Sequence, residues 1–182
     1  MQKIKIVISG AAISSSCVEN VNQLAYEIGK EIAEQDAIVI TGATTGLPYW
    51  SAKGAFENNG FVIGFSPAIN AKQHLEMGLP VDYHNIIFYT GEGYSARNLR
   101  LIRAGDGAIF ICGRTGTLNE FVIAFEEQKQ MAVLKNSGGE EMFMDKIVAE
   151  AHKPHSEIIW ETDPKILVSK LIEIIKKDNG EF

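Results

Sequence analysis

All four arginines of the chain, Arg97, Arg100, Arg103 and Arg114, lie between positions 97 and 114 and bracket the run Cys112-Gly113-Arg114-Thr115-Gly116-Thr117-Leu118-Asn119-Glu120. Elsewhere the chain uses Lys for positive charge. The planar guanidinium fork suits bidentate recognition of phosphate or carboxylate, whereas Lys serves as a solvated point charge, so this segregation points to one anion-binding site. Chance clustering on a surface is the bland alternative. Three glycine-bearing turns reinforce the first reading: Ser9-Gly10-Ala11-Ala12, Thr41-Gly42-Ala43-Thr44-Thr45-Gly46 and Gly113-Arg114-Thr115-Gly116-Thr117. Each follows a strand-like run, where a helix N-terminus can aim backbone N–H groups at a phosphate.

The elements that must position these turns are legible as alternating runs. Strands are predicted at 4–9, 37–41, 61–65, 85–89, 108–112, 131–134 and 157–160, separated by amphipathic stretches, the form of strand–helix units around a parallel sheet. Residues 17–35 carry Val21, Leu24, Ala25, Ile28, Ile32 and Ala33 at helical spacing, with Ser16 as a candidate cap. Asp163-Pro164 opens the last helix with an N-cap and Pro at N1, followed by the stripe Ile166, Leu167, Leu171, Ile174 and Ile175. The longest irregular stretch is 66–84. The expectation is an α/β fold, one Rossmann-like domain over residues 1–182, with a mostly parallel sheet of about seven strands flanked by helices.

The bulk properties narrow the function. The chain has 182 residues, is 46% hydrophobic and 22% charged, and carries a net charge of -6. That acidity argues against a general nucleic-acid binder, which needs a basic surface, yet allows a small anion in one positive pocket. The apolar runs are too short to cross a bilayer, so no membrane partner is expected. Two cysteines, Cys17 and Cys112, form no disulfide framework, and with no leader-like segment a cytoplasmic protein is expected. Cys112 reads better as a small apolar residue ending a strand than as a nucleophile. His152-Lys153-Pro154-His155 is a poor metal site, so no metal is called. Nothing matches G-x-G-x-x-G or Walker A, which ranks NAD and P-loop ATPase readings low and leaves no cofactor expected.

The run from Ile6 through Glu120 resembles the Lonely Guy family, nucleoside 5′-monophosphate phosphoribohydrolases often labelled lysine decarboxylases. Its hallmark P-G-G-x-G-T-x-x-E is similar to the run from Cys112 to Glu120, and its upstream Arg-Lys pair to Arg97-Asn98. The interval from Arg97 to Glu120 equals the family's interval between its catalytic Arg and Glu. The Gly42–Gly46 turn sits where that family has its second phosphate loop. The resemblance implies catalytic roles for Arg97 and Glu120. Taken with the glycine-bearing turns and the arginines, the candidate ligand-binding residues are Gly10, Gly42, Thr45, Gly46, Asn98, Gly113, Arg114, Thr115, Gly116 and Thr117; the resemblance also implies a homodimer. The substrate class implied is a nucleotide or other phosphorylated small molecule. Breaking an N-glycosidic bond builds positive charge on the ribose, which the Glu120 carboxylate would stabilise while guiding water. Arg97 would orient the nucleotide.

The departures open alternatives. Arg114 replaces a hallmark Gly and could bind a second anionic group or pair with a carboxylate and fill the pocket. Ala96-Arg97-Asn98 before the glycine-rich loop resembles the molybdenum-cofactor carrier proteins, which implies a non-catalytic nucleotide or pterin-cofactor binding role as the first rival. The single-stranded-DNA-binding branch typified by DNA-processing protein A is the second, disfavoured by the acidic balance. Thr117-Leu118-Asn119-Glu120 also has the form of a capping box, which would make Glu120 a helix cap. Of the arginines, Arg97 is expected to reach the ligand, Arg100 to approach it, and Arg103 to be solvated or paired with Asp106. Tyr49, Trp50 and Tyr94 are candidates for base stacking, with core packing preferred for Trp50. Residues 136–139 either line the cleft or form a turn.

Overall fold

The computed structural model of the chain describes residues 2–139, 141–155, 157–178 and 180. Seven strands, β1 (Lys5–Gly10), β2 (Ile38–Thr41), β3 (Phe61–Ser66), β4 (Ile86–Tyr89), β5 (Gly107–Gly113), β6 (Gln130–Gly139) and β7 (Ile159–Glu161), form one sheet in the order β4-β3-β2-β1-β5-β6-β7. Every neighbouring pair is parallel. Parallel strands need crossovers, which the helices supply: α1 (Val21–Glu34), α2 (Leu47–Glu57), α3 (Ala71–Glu76), α4 (Gly93–Ala104), α5 (Thr115–Glu126), α6 (Glu141–Glu150) and α7 (Pro164–Asp178). The α/β, Rossmann-like expectation holds in this architecture.

The period-2 alternation of the strands sorts the core into two layers. Ile6, Ile8, Val39, Ile109 and Ile111 face α1, α2 and α7, whereas Val7, Ile40, Ala108, Phe110 and Val133 face α4 and α5. Burial on both faces explains why these strands read as near-continuous apolar runs. β5 is buried along its whole length. No helix among the described residues is long and apolar enough to cross a membrane.

The strand order places the site. From β1 the chain steps outward to β4, then returns through α4 over the opposite face to β5, which pairs with β1 on its other side. The loops after β1 and β5 therefore depart toward opposite faces and leave a crevice between them at the carboxyl edge of the sheet, the usual ligand position in such folds.

Several local readings are corrected. The first helix begins at Val21 with Asn20 as N-cap, so Ser16 is no cap. Residue 17 instead pairs with Gly138 as an antiparallel bridge. β6 runs past Leu134 to Gly139 because, after a register shift, Gly139 pairs with Gly113. The irregular stretch 66–84 contains α3, capped by Asn70, whose side chain accepts from Gln73 N. The last helix follows its signature: Asp163 Oδ1 accepts from Ile166 N at 2.9 Å. The two cysteines are also corrected. Cys17 and Cys112 are joined in a disulfide with Cα atoms 5.8 Å apart, because the β1–α1 loop folds back over the ends of β5 and β6. Ninety-five residues of separation hid that pairing from a reading of spacing.

Candidate functional site

A cleft of about 410 Å³ elsewhere, lined in part by Lys135, Gly138, Gly139 and Trp160, receives the 136–139 segment, which therefore does not line the crevice. The crevice itself is a cavity of about 290 Å³ walled by the β1–α1 loop, the start of α4 and the first turn of α5. Of the residues expected to bind, it exposes Gly10, Asn98, Arg114, Thr115, Gly116 and Thr117, and both expected catalytic residues, Arg97 and Glu120, line it. Gly42, Thr45, Gly46 and Gly113 stand behind the lining. Ala11, Ala12 and Thr44, which lie in the glycine-bearing turns but were not among the expected ligand residues, also line the cavity, as does Ile13.

Three of these supporting residues, Gly42, Gly46 and Thr45, have a definable job. An ideal Cβ on Gly42 would lie 1.9 Å from Arg97 Nη1, so only a glycine lets the guanidinium pack against this backbone. Gly46 has φ of +77°, and a Cβ there would lie 2.2 Å from the Ala11 carbonyl oxygen. The two turns are further joined by Thr45 Oγ1 donating to the Ala12 carbonyl at 3.2 Å. Their contact holds the β1–α1 loop in place as a cleft wall.

The helix α5 starts at Thr115, with Arg114 in the N-cap position, extended in backbone (φ -129°, ψ -170°) and making no side-chain cap hydrogen bond. The first-turn N–H groups of an uncapped helix are natural anion ligands, and the helix dipole adds to them. This start also overturns the capping-box reading. Glu120 lies a full turn inside the helix and its carboxyl points to β1, where Ser9 Oγ donates to Oε2. Ser9 went unnoticed as a partner, although a polar residue ending the apolar run of β1 was its available signal.

Arg97 is 3% exposed, and its Nε and Nη1 have no hydrogen-bond partner among the described residues. A buried guanidinium left without partners is costly, and an incoming anion would satisfy it. Its guanidinium carbon also sits 5.9 Å from the Tyr94 ring centre. Burial lowers the Arg97 pKa from its ordinary value, while the neighbouring Glu120 and Tyr94 hold it up. Arginine's very high intrinsic basicity keeps it charged. For Glu120, 8% exposed, burial pushes the carboxyl above the ordinary carboxylate value, opposed by the Arg97 charge and the Ser9 hydrogen bond. With the Asn98 amide oriented by its network, Nδ2 donates to Glu120 Oε1 and to the Tyr94 carbonyl, each at 2.9 Å.

The other arginines are accounted for differently. Arg100 pairs with Glu92 at 3.1 Å. Arg103 forms two bonds to Glu127, Nη2 to Oε1 at 2.7 Å and Nε to Oε2 at 3.0 Å, rather than meeting Asp106, which takes Lys5. Neither reaches the cleft lining. Arg114 lines it and is exposed, with no salt bridge among the described residues. Tyr94 is the candidate aromatic that lines the cleft; Tyr49 instead packs on Tyr83, and Trp50 against the core. No group of three or more His, Cys, Asp or Glu that could hold a metal occurs among the described residues.

Comparison with known proteins agrees with this geometry at the level of fold and family. A protein-family model described as the SLOG cluster4 family matches residues 3–168. A protein of Archaeoglobus fulgidus is 32% identical over 132 residues, which span 72% of this chain and 82% of that one. The solved molybdenum cofactor binding protein from the phototrophic bacterium Rippkaea orientalis superposes with a TM-score of 0.78 at 24% identity, covering 96% of this chain and 99% of that one. The molybdenum cofactor carrier protein from Chlamydomonas reinhardtii gives 0.77 at 24% identity, with the same coverage. At such identities the likeness is one of fold.

Proposed function

The chain belongs to the SLOG cluster4 family, a family with a nucleotide-binding fold, and on that premise we propose that it hydrolyses a purine-type nucleoside 5′-monophosphate to free base and ribose 5-phosphate. The observation that carries the reading is the meeting of Arg97 and Glu120 in one cleft beside the open first turn of α5. The phosphate lies against the N–H groups of Thr115, Gly116 and Thr117, with the Arg97 guanidinium completing the positive surround. The ribose then faces Glu120. As the bond to the base stretches, positive charge grows on the sugar, and the ionised Glu120 carboxylate stabilises it and receives a proton from the attacking water. Ser9 and Asn98 hold that carboxyl in a fixed orientation.

A second reading is favoured by one observation: burial disfavours the charged form of Glu120, and a neutral carboxyl beside a charged Arg97 makes a good anion receptor and a poor catalyst. In that case the protein binds or carries a phosphorylated nucleotide or pterin-type cargo intact. The deciding experiment is mass-spectrometric turnover of AMP, GMP, IMP, CMP and N6-substituted AMP by wild type, Glu120→Gln and Arg97→Ala. Free base and ribose 5-phosphate that vanish in both variants support hydrolysis. Binding of nucleotides that stay intact supports the carrier.

The proposal also takes the protein to be a cytoplasmic homodimer that does not bind nucleic acid. Ile86 and Phe88, 43% and 50% exposed on the edge strand β4, offer an apolar surface for self-association. Sedimentation velocity tests the dimer. A titration with single-stranded DNA at low salt tests the exclusion of nucleic acid, and saturable binding there would overturn it.

A further inference from the structure

We infer that the Cys17–Cys112 disulfide is a thiol-exchange site at which a low-molecular-weight thiol forms a mixed disulfide with Cys17, and that its opening loosens the anion cleft. The coupling to the cleft rests on the ligand-binding reading above; the exchange chemistry does not.

The two sulfurs belong to opposite walls of the crevice. Cys17 lies in the loop whose Ala11, Ala12 and Ile13 line the cavity, and Cys112 immediately precedes Gly113, just before the uncapped start of α5. Ala11 and Ala12 are tied to Cys112, Leu47 and Thr45, but beyond Ala12 the β1–α1 loop has little else to hold it. Ala11 is buried, but Ala12, Ile13, Ser15 and Ser16 are exposed, and Ile13 is 61% exposed. Its remaining backbone ties to β6 cluster around the disulfide itself: Val18 N to Ser137 O and Gly139 N to Ser16 O, each 3.2 Å. Segments with few buried apolar contacts open at low free-energy cost once a covalent tie is removed.

The two cysteines are unequal in reach and in leaving ability. Cys17 is partly exposed, while Cys112 is 3% exposed, so an incoming thiolate attacks the Cys17 sulfur. The Cys17–Cys112 bond breaks, its electron pair leaves on Cys112 as a thiolate, and a mixed disulfide remains on Cys17. The positive end of α5, starting three residues after Cys112, favours that thiolate. A second thiolate attacks the sulfur of the small-molecule half, freeing Cys17 and giving the small-molecule disulfide. Two external thiols are thus oxidised for one protein disulfide reduced, and the oxidised small molecule reverses both steps.

The test treats the full-length disulfide form with reduced glutathione, traps adducts with acid and maps them by peptide mass spectrometry, then titrates AMP into the disulfide form, the dithiothreitol-reduced form and Cys17→Ser. The expected results are a glutathione adduct on Cys17 alone and AMP affinity about 10-fold weaker in the last two forms, because an unordered wall must be fixed on binding. An adduct on Cys112, a disulfide that resists exchange, or equal AMP affinity in all three forms would overturn the inference. Should AMP bind none of them, the nucleotide reading fails, and limited proteolysis then decides the inference. Faster cleavage within residues 12–16 after reduction upholds it, and unchanged cleavage rejects it.

Discussion

Ser9 Oγ donates a hydrogen bond to Glu120 Oε2 across 111 residues of sequence, joining the end of β1 to the interior of α5. The bond spans the switch point of the sheet, so one contact both fastens the two walls of the crevice and, beside burial and the Arg97 charge, acts on the ionisation of its carboxyl. Removing it as Ser9→Ala leaves Glu120 with one fewer donor, and the carboxyl moves further upward than burial already places it. Turnover at neutral pH is expected to fall about tenfold, the effect of one hydrogen bond to a charged group. A pH–rate profile checks this, since the acid limb should move to higher pH; an unmoved limb would show that Ser9 does not act through Glu120.

The raised Glu120 pKa makes a prediction about pH. The folded carboxyl binds its proton more tightly than the unfolded one, whose ordinary value is 4.5. The stability this contributes is fully present below 4.5 and is lost as pH rises through the higher folded value. Denaturant midpoints of wild type should decline over that interval relative to Glu120→Gln, which has no proton to lose. Catalysis runs the opposite way, because hydrolysis uses the ionised form: turnover should rise with pH through the same interval and level off. Parallel midpoint curves for the two proteins would refute the assignment.

Gly42→Ala is the sharpest steric test of the Arg97 position. Gly42 has no positive φ, so its backbone accepts alanine, yet the new Cβ would sit 1.9 Å from Arg97 Nη1. The guanidinium must move, and AMP affinity measured by calorimetry should drop at least about 10-fold, the order of losing one charged hydrogen bond. Far-ultraviolet circular dichroism should be unchanged. Retained affinity in a folded variant would mean that Arg97 does not hold the ligand.

Arg114 lines the cleft at the N-cap of α5 with no salt bridge among the described residues, which suits a second anionic group on the ligand. Arg114→Ala is expected to weaken ADP binding about fivefold, the scale of an exposed charge pair, while leaving AMP nearly unchanged. Because the pair is solvent-exposed, the difference should shrink at high salt. Equal effects on both nucleotides would instead make Arg114 a contact to the first phosphate.

The local alphabet of the chain was sufficient for the scaffold. Apolar runs buried on both faces mark parallel strands, and the i, i+3, i+4 stripe marks α1 and α7, because these patterns express burial along one short segment. The clustering of Arg97 and Arg114 and two of the glycine-bearing turns marked residues that line one crevice. Chain proximity carries little information about partners across space. Whether Glu120 caps its own helix or faces Ser9 depended on where α5 starts, and the folded chain starts it at Thr115, just after the end of β5 at Gly113. Arg100 and Arg103 look like Arg97 in a helical reading, yet tertiary packing gives them Glu92 and Glu127 and buries Arg97 alone against Gly42. The Cys17–Cys112 bond likewise arises only where the β1–α1 loop meets the ends of β5 and β6. Residue types and periodicity, read locally, determined the elements and pointed to candidate site residues; the sheet order, which brings distant segments within hydrogen-bond reach, decided which side chains meet.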